Sequence, residues 1–300
     1  MTAHATVFPG AQIGATLRAY IAITKPRIIV LLLVTTVPAM VVAQGGWPST
    51  WLVLATVAGG AVSAGGANAI NCWYDRDIDS VMKRTRNRPL VTGAIDPAGA
   101  LSFGVALGAG AFAFMWFATT PMAAVLSLAA LLFYVFIYTV WLKRRTAQNI
   151  VIGGAAGAFP PMVGWAAVTG DISLTSIAMF AIIFAWTPPH FWALALKLEG
   201  DYAEAGVPML PVAAGAAATR AQILGYSAVL VAVSLAALAP GDLGAIYGAT
   251  AVLAGAVFLR HAFRLWRAPA ATSPMTLYKF SLLYLAVLFV AMGVDVAVLA

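Results

Sequence analysis

The sequence predicts an all-α, polytopic membrane protein: nine transmembrane helices around a central cavity, with the N-terminus cytoplasmic and the C-terminus outside. Three observations carry this prediction. Of 300 residues, 62% are hydrophobic and only 9% charged, against about 25% charged in a soluble domain, and mean hydropathy is +0.93. The charges sit in short clusters between apolar runs, most of them long enough to cross roughly 30 Å of hydrocarbon at about 20 residues per helix. Finally, every Lys and Arg falls on one side of the topology that these runs define. A membrane β-barrel is excluded because the runs are apolar on every face instead of alternating.

Residues 1–26 read as a cytoplasmic N-terminal segment and 27–300 as a single transmembrane domain. Arg18 and Lys25 are the only cations in the first segment, so neither a cleaved signal nor an Arg-rich transit peptide is expected. The candidate spans then follow at about 27–43, 51–73, 97–117, 122–142, 149–168, 174–195, 221–239, 243–260 and 278–298. With the N-terminus inside, three basic residues, Arg18, Lys25 and Arg27, lie before or at the start of span 1. Five lie between spans 2 and 3, three between 4 and 5, two between 6 and 7, and four from 260 to 279, which accounts for all 17. The outer segments carry Asp171, Asp242 and Asp295 and no cation, the pattern expected of cytoplasmic basic loops. The net charge of +7 therefore reflects topology and not nucleic-acid binding. The single cysteine, Cys72, excludes an intrachain disulfide, a cysteine-based zinc site and a C-x-x-C-H haem attachment. Gly153, Gly154 and Gly157 in span 5 read as helix-packing positions.

Two polar clusters collect at the cytoplasmic face. At the end of span 2, Asn71, Asp75 and Asp79 recur every fourth residue and stack along one helix face, while Asp77 points away. Two carboxylates and an amide oxygen are hard ligands suited to a Mg²⁺ ion that also binds phosphates, and Lys83, Arg84, Arg86 and Arg88 follow at once to take remaining phosphate charge. The bland alternative is a solvated charge run. It is disfavoured by the depth of the carboxylates, their one-sided spacing and their mutual repulsion without a cation. The second cluster closes span 6. Pro188-Pro189 is expected to kink or break the helix, and if helix continues from His190, then His190, Lys197, Asp201 and Glu204 share one face. Facing each other across a cavity, the clusters suit an amphiphile with a diphosphate head and a hydrocarbon tail. Lys143-Arg144-Arg145 and the basic residues from Arg260 to Arg267 have a simpler explanation in topology and anionic headgroups of membrane lipids.

The Asn71-x-x-x-Asp75-x-x-x-Asp79 signature resembles that of the UbiA-type intramembrane prenyltransferase superfamily. Longer blocks resemble its haem O synthase branch, the protohaem IX farnesyltransferases. These are Thr24–Ile28, Asn71–Leu90, Tyr138–Val151, Gly154–Pro161, Trp186–Lys197 and Asp201–Pro211, which together cover about 24–211. The other branches generally carry a second Asp-rich motif where this chain reads Lys197-x-x-x-Asp201-Tyr202. The resemblance implies a Mg²⁺-dependent enzyme of a bacterial inner membrane that transfers farnesyl from farnesyl diphosphate to a vinyl group of haem B, giving haem O. Haem A synthase would be a partner that takes the product. It further implies Asn71, Asp75, Asp79 and Asp201 as metal ligands, Lys83, Arg84 and Arg88 as diphosphate partners, and Lys197 with Asp201 as second-motif contributors.

A developing allylic cation needs a dry pocket, and Tyr74, Tyr134, Trp186 and Trp192 are candidate aromatic faces for it. His190 reads as a contact to haem, about 10 Å deeper than Lys197, although a general base or a core histidine satisfied by a neighbouring helix remains open. His4, His261 and Cys72 read as incidental or packing residues. A superfamily member with another aromatic acceptor is the nearest rival. A secondary transporter is disfavoured because the outer side carries no charged path.

Overall fold

The computed structural model describes residues 9–299, with side chains except at 9–12, 27–29, 31–33 and 299. His4, the first eight residues of the N-terminal segment and the side chains of Arg27 and Ile28 lie outside the described residues. The helices are α1 (Pro9–Ile23), α2 (Pro26–Gln44), α3 (Thr50–Tyr74), α4 (Arg76–Val81), α5 (Pro97–Ala118), α6 (Pro121–Leu132), α7 (Asn149–Thr169), α8 (Leu174–Lys197), α9 (Glu199–Glu204), α10 (Leu210–Ala236), α11 (Ala245–Arg267) and α12 (Pro274–Leu299). No strand occurs among the described residues. Helix α6 runs on without interruption as a π-helix over Phe133–Leu142. Eight of these helices are long and apolar enough to cross a membrane: α3, α5, α6 with its π-helical extension, α7, α8, α10, α11 and α12. Helix α2 lies where the first span was expected, and its described apolar stretch is Val34–Gln44.

Each long helix packs on its successor, α7 also meets α2, and α12 returns to α2 and α8, which closes the bundle. Proline sets the start of α2, α5 and α6, where a missing N–H costs nothing. Asp96 and Thr120 cap α5 and α6, and Ser173 caps α8 in a reciprocal pair with Ser176. Small residues let α3 and α5 approach closely. A Cβ on Gly66 would stand 2.7 Å from the Gly104 carbonyl oxygen and 3.0 Å from the Gly108 nitrogen. Membrane helices gain little from apolar burial against each other, so this close backbone packing is what holds the pair.

Three expectations require correction. Helix α8 passes unbroken through Pro188 and Pro189, where a kink or break is expected. The break falls instead at Leu198 (φ −106°, ψ 18°), so His190 and Lys197 do not share one continuous helix with Asp201 and Glu204. Helix α10 begins at Leu210, well before the expected 221, and bends at Gly215, whose φ of 79° lies outside helical space and needs glycine.

Gly66→Val is expected to lower the melting temperature in detergent by several degrees, since backbone atoms cannot yield and overpacking costs about 1–3 kcal/mol. Gly225→Val, where a Cβ meets nothing within 4 Å, should leave it nearly unchanged. Equal shifts in the two melts would remove the α3–α5 backbone contact as a constraint on the fold.

Candidate active site

The last turn of α3 delivers Asn71, and Asp75 sits at the joint with α4 (φ −88°, ψ 8°). Helical hydrogen bonding crosses the joint: Asp75 N–H donates to Asn71 O at 2.9 Å and Asp79 N–H to Asp75 O at 2.8 Å. The four-residue spacing therefore survives the change of helix. Asn71, Asp75 and Asp79 are all buried, whereas the Asp77 side chain is 62% exposed.

Each member of this stripe is met by a cation, two of them from distant parts of the chain. Lys143 Nζ donates to Asp75 Oδ2, and Asn71 Nδ2 donates to the same oxygen at 2.7 Å. Arg88 Nη1 lies 2.5 Å from Asp79 Oδ2. Lys25 Nζ donates to Asn71 Oδ1 at 2.8 Å. Lys25 reaches it from the joint between α1 and α2, held at φ 55°, ψ 59°, the one positive φ among the described non-glycine residues. Such a conformation costs of order 1–3 kcal/mol and persists where its surroundings demand it. The adjoining Thr24 carbonyl is pinned by Asn68 Nδ2 at 3.0 Å. Burial lowers the Lys25 ammonium to about 8, so it remains charged at neutral pH.

Lys143 is placed by the π-helix, whose wide turn ends with Lys143 N–H on Tyr138 O, five residues back, at 2.9 Å. The same element directs Thr139 to Asn71 Nδ2 at 3.1 Å. Arg144 grips Asp77 with two contacts of 2.7 Å and lies over the Tyr74 ring. Lys143 and Arg144, assigned from sequence only to topology and lipid, thus belong to the polar site. Asp77 is held low, to about 2, chiefly by its hydrogen bonds from Arg144.

The second cluster reaches the first through a different residue from those expected. Tyr202 of α9 is buried against Arg84, and its hydroxyl is pushed up to about 12, chiefly by burial. Lys197 and Lys83 are exposed and Asp201 is half-buried. Among the described residues, the Lys197 and Asp201 side chains make no hydrogen bond or ion pair with the stripe. Glu204 lies across a small pocket from Asp77 and Arg144.

Inward of the stripe lies a cavity of about 360 Å³, lined mainly by apolar groups of α2, α3, α6 with its extension, α7 and α8. Tyr134 and Tyr138 stand in its wall with ring centroids 5.4 Å apart, and Asn68 of α3 adjoins them. The lining continues along α3 to Thr56, a helical distance of about 18 Å. All three glycines line the cavity; Gly153 and Gly154 also pack as expected, against Tyr138 and Thr187, whereas nothing lies within 4 Å of the Gly157 Cβ position. Of the aromatic candidates, Tyr134 and Trp186 line the cavity. Tyr74 lies under Arg144, and Trp192 packs on Tyr226 of α10.

His190 is in the cavity wall, stacked between Trp186 (4.0 Å, 17°) and Tyr278 (4.6 Å, 24°). Its Nδ1 lies 2.6 Å from Ser281 Oγ, and that hydroxyl is also 2.7 Å from the Tyr278 carbonyl oxygen. One hydroxyl proton serves both contacts only if Ser281 donates to Tyr278 and His190 Nδ1 donates to Ser281. That tautomer leaves Nε2 as a bare lone pair on a ring fixed from both faces.

A divalent cation fits the stripe. Asp75 Oδ1 is buried without a hydrogen-bond donor, with Arg144 Nη2 3.7 Å away. Among the described residues no three His, Cys, Asp or Glu gather into a metal cage. Two carboxylates and an amide leave positions for phosphate oxygens, the usual habit of Mg²⁺.

The sequence pattern of the UbiA prenyltransferase family matches residues 32–290. Protoheme IX farnesyltransferase 1 of Saccharopolyspora erythraea is 57% identical over 285 residues, covering 94% of this chain and 91% of that protein. Protoheme IX farnesyltransferase of Chloroflexus aurantiacus is 54% identical over 276 residues, 92% of this chain; the chain spans about half, 47%, of the length of that relative. Among solved structures, a digeranylgeranylglyceryl phosphate synthase superposes with a TM-score of 0.77 at 17% identity, covering 94% of this chain and 99% of that one. A UbiA homolog from Archaeoglobus fulgidus bound to GPP and Mg²⁺ gives 0.66 at 18% identity, covering 93% and 99%. These structures share the fold.

The Asp77–Arg144 pair has a pH signature. The Asp77 carboxyl is held at about 2, below the usual carboxylate range near 4, so the pair's stabilisation is present above about pH 4 and lost as pH falls through 2. The melting temperature of Asp77→Asn should therefore lie slightly below wild type at pH 6, and the gap should close near pH 2. A gap independent of pH would mean that the pair is not the source. The effect is small because Asp77 is exposed.

Proposed function

The chain belongs to the UbiA prenyltransferase family, and from that premise we propose that it makes haem O, transferring farnesyl from farnesyl diphosphate to a vinyl group of haem B with water supplying a hydroxyl. The observation that carries this reading is the placing of a cation-rich oxygen stripe directly above a mainly apolar cavity that contains a fixed histidine. Relatives that share half or more of its residues are named for this reaction. The N-inside topology with nine spans, in a bacterial inner membrane, accompanies the proposal and is supported by the one-sided basic residues.

In the reaction the bond between the allylic carbon and the diphosphate oxygen breaks, and the electron pair leaves with diphosphate. Lys25, Arg88 and Lys143 stand where that growing charge is taken up, with Lys83 and Arg84 at the exposed rim. Asn71, Asp75 and Asp79 would hold Mg²⁺, which when bound supplies further neutralisation of the leaving group. Lys197 and Asp201, at the same face but without contact to the stripe, would add to the head-group site, Asp201 as a further oxygen ligand for the metal. Tyr134, Tyr138 and Trp186 line the mainly apolar cavity and would offer their rings to the allylic cation. The vinyl electrons attack that carbon, a water oxygen adds to the remaining vinyl carbon, and one proton is lost. His190 Nε2 is the group on the cavity wall that contacts the haem.

The test uses purified protein in lipid nanodiscs with Mg²⁺ and farnesyl diphosphate, offering haem B, 4-hydroxybenzoate or a naphthoate, with products identified by mass. Haem B should be prenylated and the others left unchanged; prenylation of another acceptor in preference would overturn the assignment. Asp75→Ala and Asp79→Ala should each lower kcat by about 10²–10³-fold, whereas Asp77→Ala should cost far less. Equal losses in all three would contradict the stripe.

A further inference from the structure

In the polar site, one oxygen of each stripe residue is already engaged by a cation. Lys25 holds Asn71 Oδ1 at 2.8 Å, Lys143 holds Asp75 Oδ2, and Arg88 holds Asp79 Oδ2 at 2.5 Å. With Arg144, which lies 3.7 Å from Asp75 Oδ1 and pairs with Asp77, four cations face three carboxylates, so the site carries one positive charge beyond balance. A divalent cation arriving alone would meet an electropositive, largely buried site in which Asp75 Oδ2, Asp79 Oδ2 and Asn71 Oδ1 are taken. Coulomb repulsion in a low-dielectric surrounding opposes its entry. A prenyl diphosphate brings about three negative charges, enough to balance the excess charge together with one divalent ion. Its oxygens are strong acceptors for ammonium and guanidinium groups. A lysine ammonium on a four-carbon stem with rotatable donors can change partners without moving its backbone.

We propose that Lys25, Lys143 and Arg88 are exchangeable counter-ions. Before substrate binds they hold the Asn71, Asp75 and Asp79 oxygens. When the diphosphate arrives they transfer to its oxygens and release the carboxylates, so that a divalent cation is taken up only together with the diphosphate. The proposal rests on the reading of this site as a prenyl diphosphate site and goes beyond it in making these cations change partners and in fixing the order of binding. It also accounts for the positive φ at Lys25, a backbone conformation that delivers one more cation to a neutral amide.

The order can be read without turnover, from Mn²⁺ binding followed by electron paramagnetic resonance on the full chain in nanodiscs, with and without inorganic pyrophosphate at matched free Mn²⁺. Wild-type protein should bind Mn²⁺ about tenfold or more weakly without pyrophosphate than with it. Lys25→Met removes a cation from an amide and strands no buried charge. It should bind Mn²⁺ alone several-fold more tightly than wild type and pyrophosphate alone more weakly. Lys143→Met should act in the same direction and more strongly. If stranding Asp75 prevents that variant from folding, Lys25→Met decides the matter. Equal Mn²⁺ affinity with and without pyrophosphate in wild type, or unchanged Mn²⁺ affinity in folded Lys25→Met, overturns the exchange and leaves the diphosphate site standing. Failure of pyrophosphate to bind under either condition overturns the site itself and the exchange with it.

Discussion

Two carboxylates, Asp75 and Asp79, are buried at the end of a membrane helix, and the rest of the polar site is arranged to make that tolerable. An unpaired charge in such surroundings costs several kcal/mol. The chain answers with cations drawn from three separate segments: Arg88 from the connection between α4 and α5, Lys143 from the end of the π-helix, and Lys25 from the joint before α2. Two locally unfavourable elements, a ten-residue π-helix and a left-handed lysine, are explained by what they deliver.

Charge ends abruptly below this layer. The wall of the cavity passes within a few residues of α3 from Asn71 to Asn68 and then to small and apolar groups. A molecule charged at one end and hydrocarbon at the other fits that gradient, and a cation generated where the two zones meet would lie beside ring faces instead of nucleophiles. His190 is the exception on the apolar side. Its two stacked neighbours and its bond to Ser281 fix both ring plane and tautomer, which suits a group that must present one lone pair in one direction.

Much of this was legible in the sequence, for reasons that also explain the omissions. Apolar run length located the helices closely: 97–117 against Pro97–Ala118, and 149–168 against Asn149–Thr169. Helical periodicity separated buried Asp75 and Asp79 from exposed Asp77 even though a joint intervenes, because hydrogen bonding carries the register across it. Where backbone conformation departs from the regular helix, local pattern was insufficient. The shared face of His190, Lys197, Asp201 and Glu204 requires a continuous helix, yet a turn comes at Leu198, and nothing in Leu132–Leu142 announces a π-helix. The partner of Asp75 stands 68 positions away, so no spacing rule could pair it with Lys143, and a basic triplet at a membrane face has an adequate explanation in topology alone. Tyr202 was passed over for the charged residues beside it, although its aromatic bulk is what the fold buries against Arg84.

The central claim is that a diphosphate-binding oxygen stripe and a haem-accepting cavity belong to one reaction. Its most direct measurement is the haem composition of membranes from a host that lacks its own haem O activity and expresses this chain. The account predicts that haem O accumulates with the wild-type chain and disappears with Asp75→Ala at equal membrane expression. Membranes that contain only haem B with the wild-type chain, or haem O in equal amount with Asp75→Ala, would contradict it.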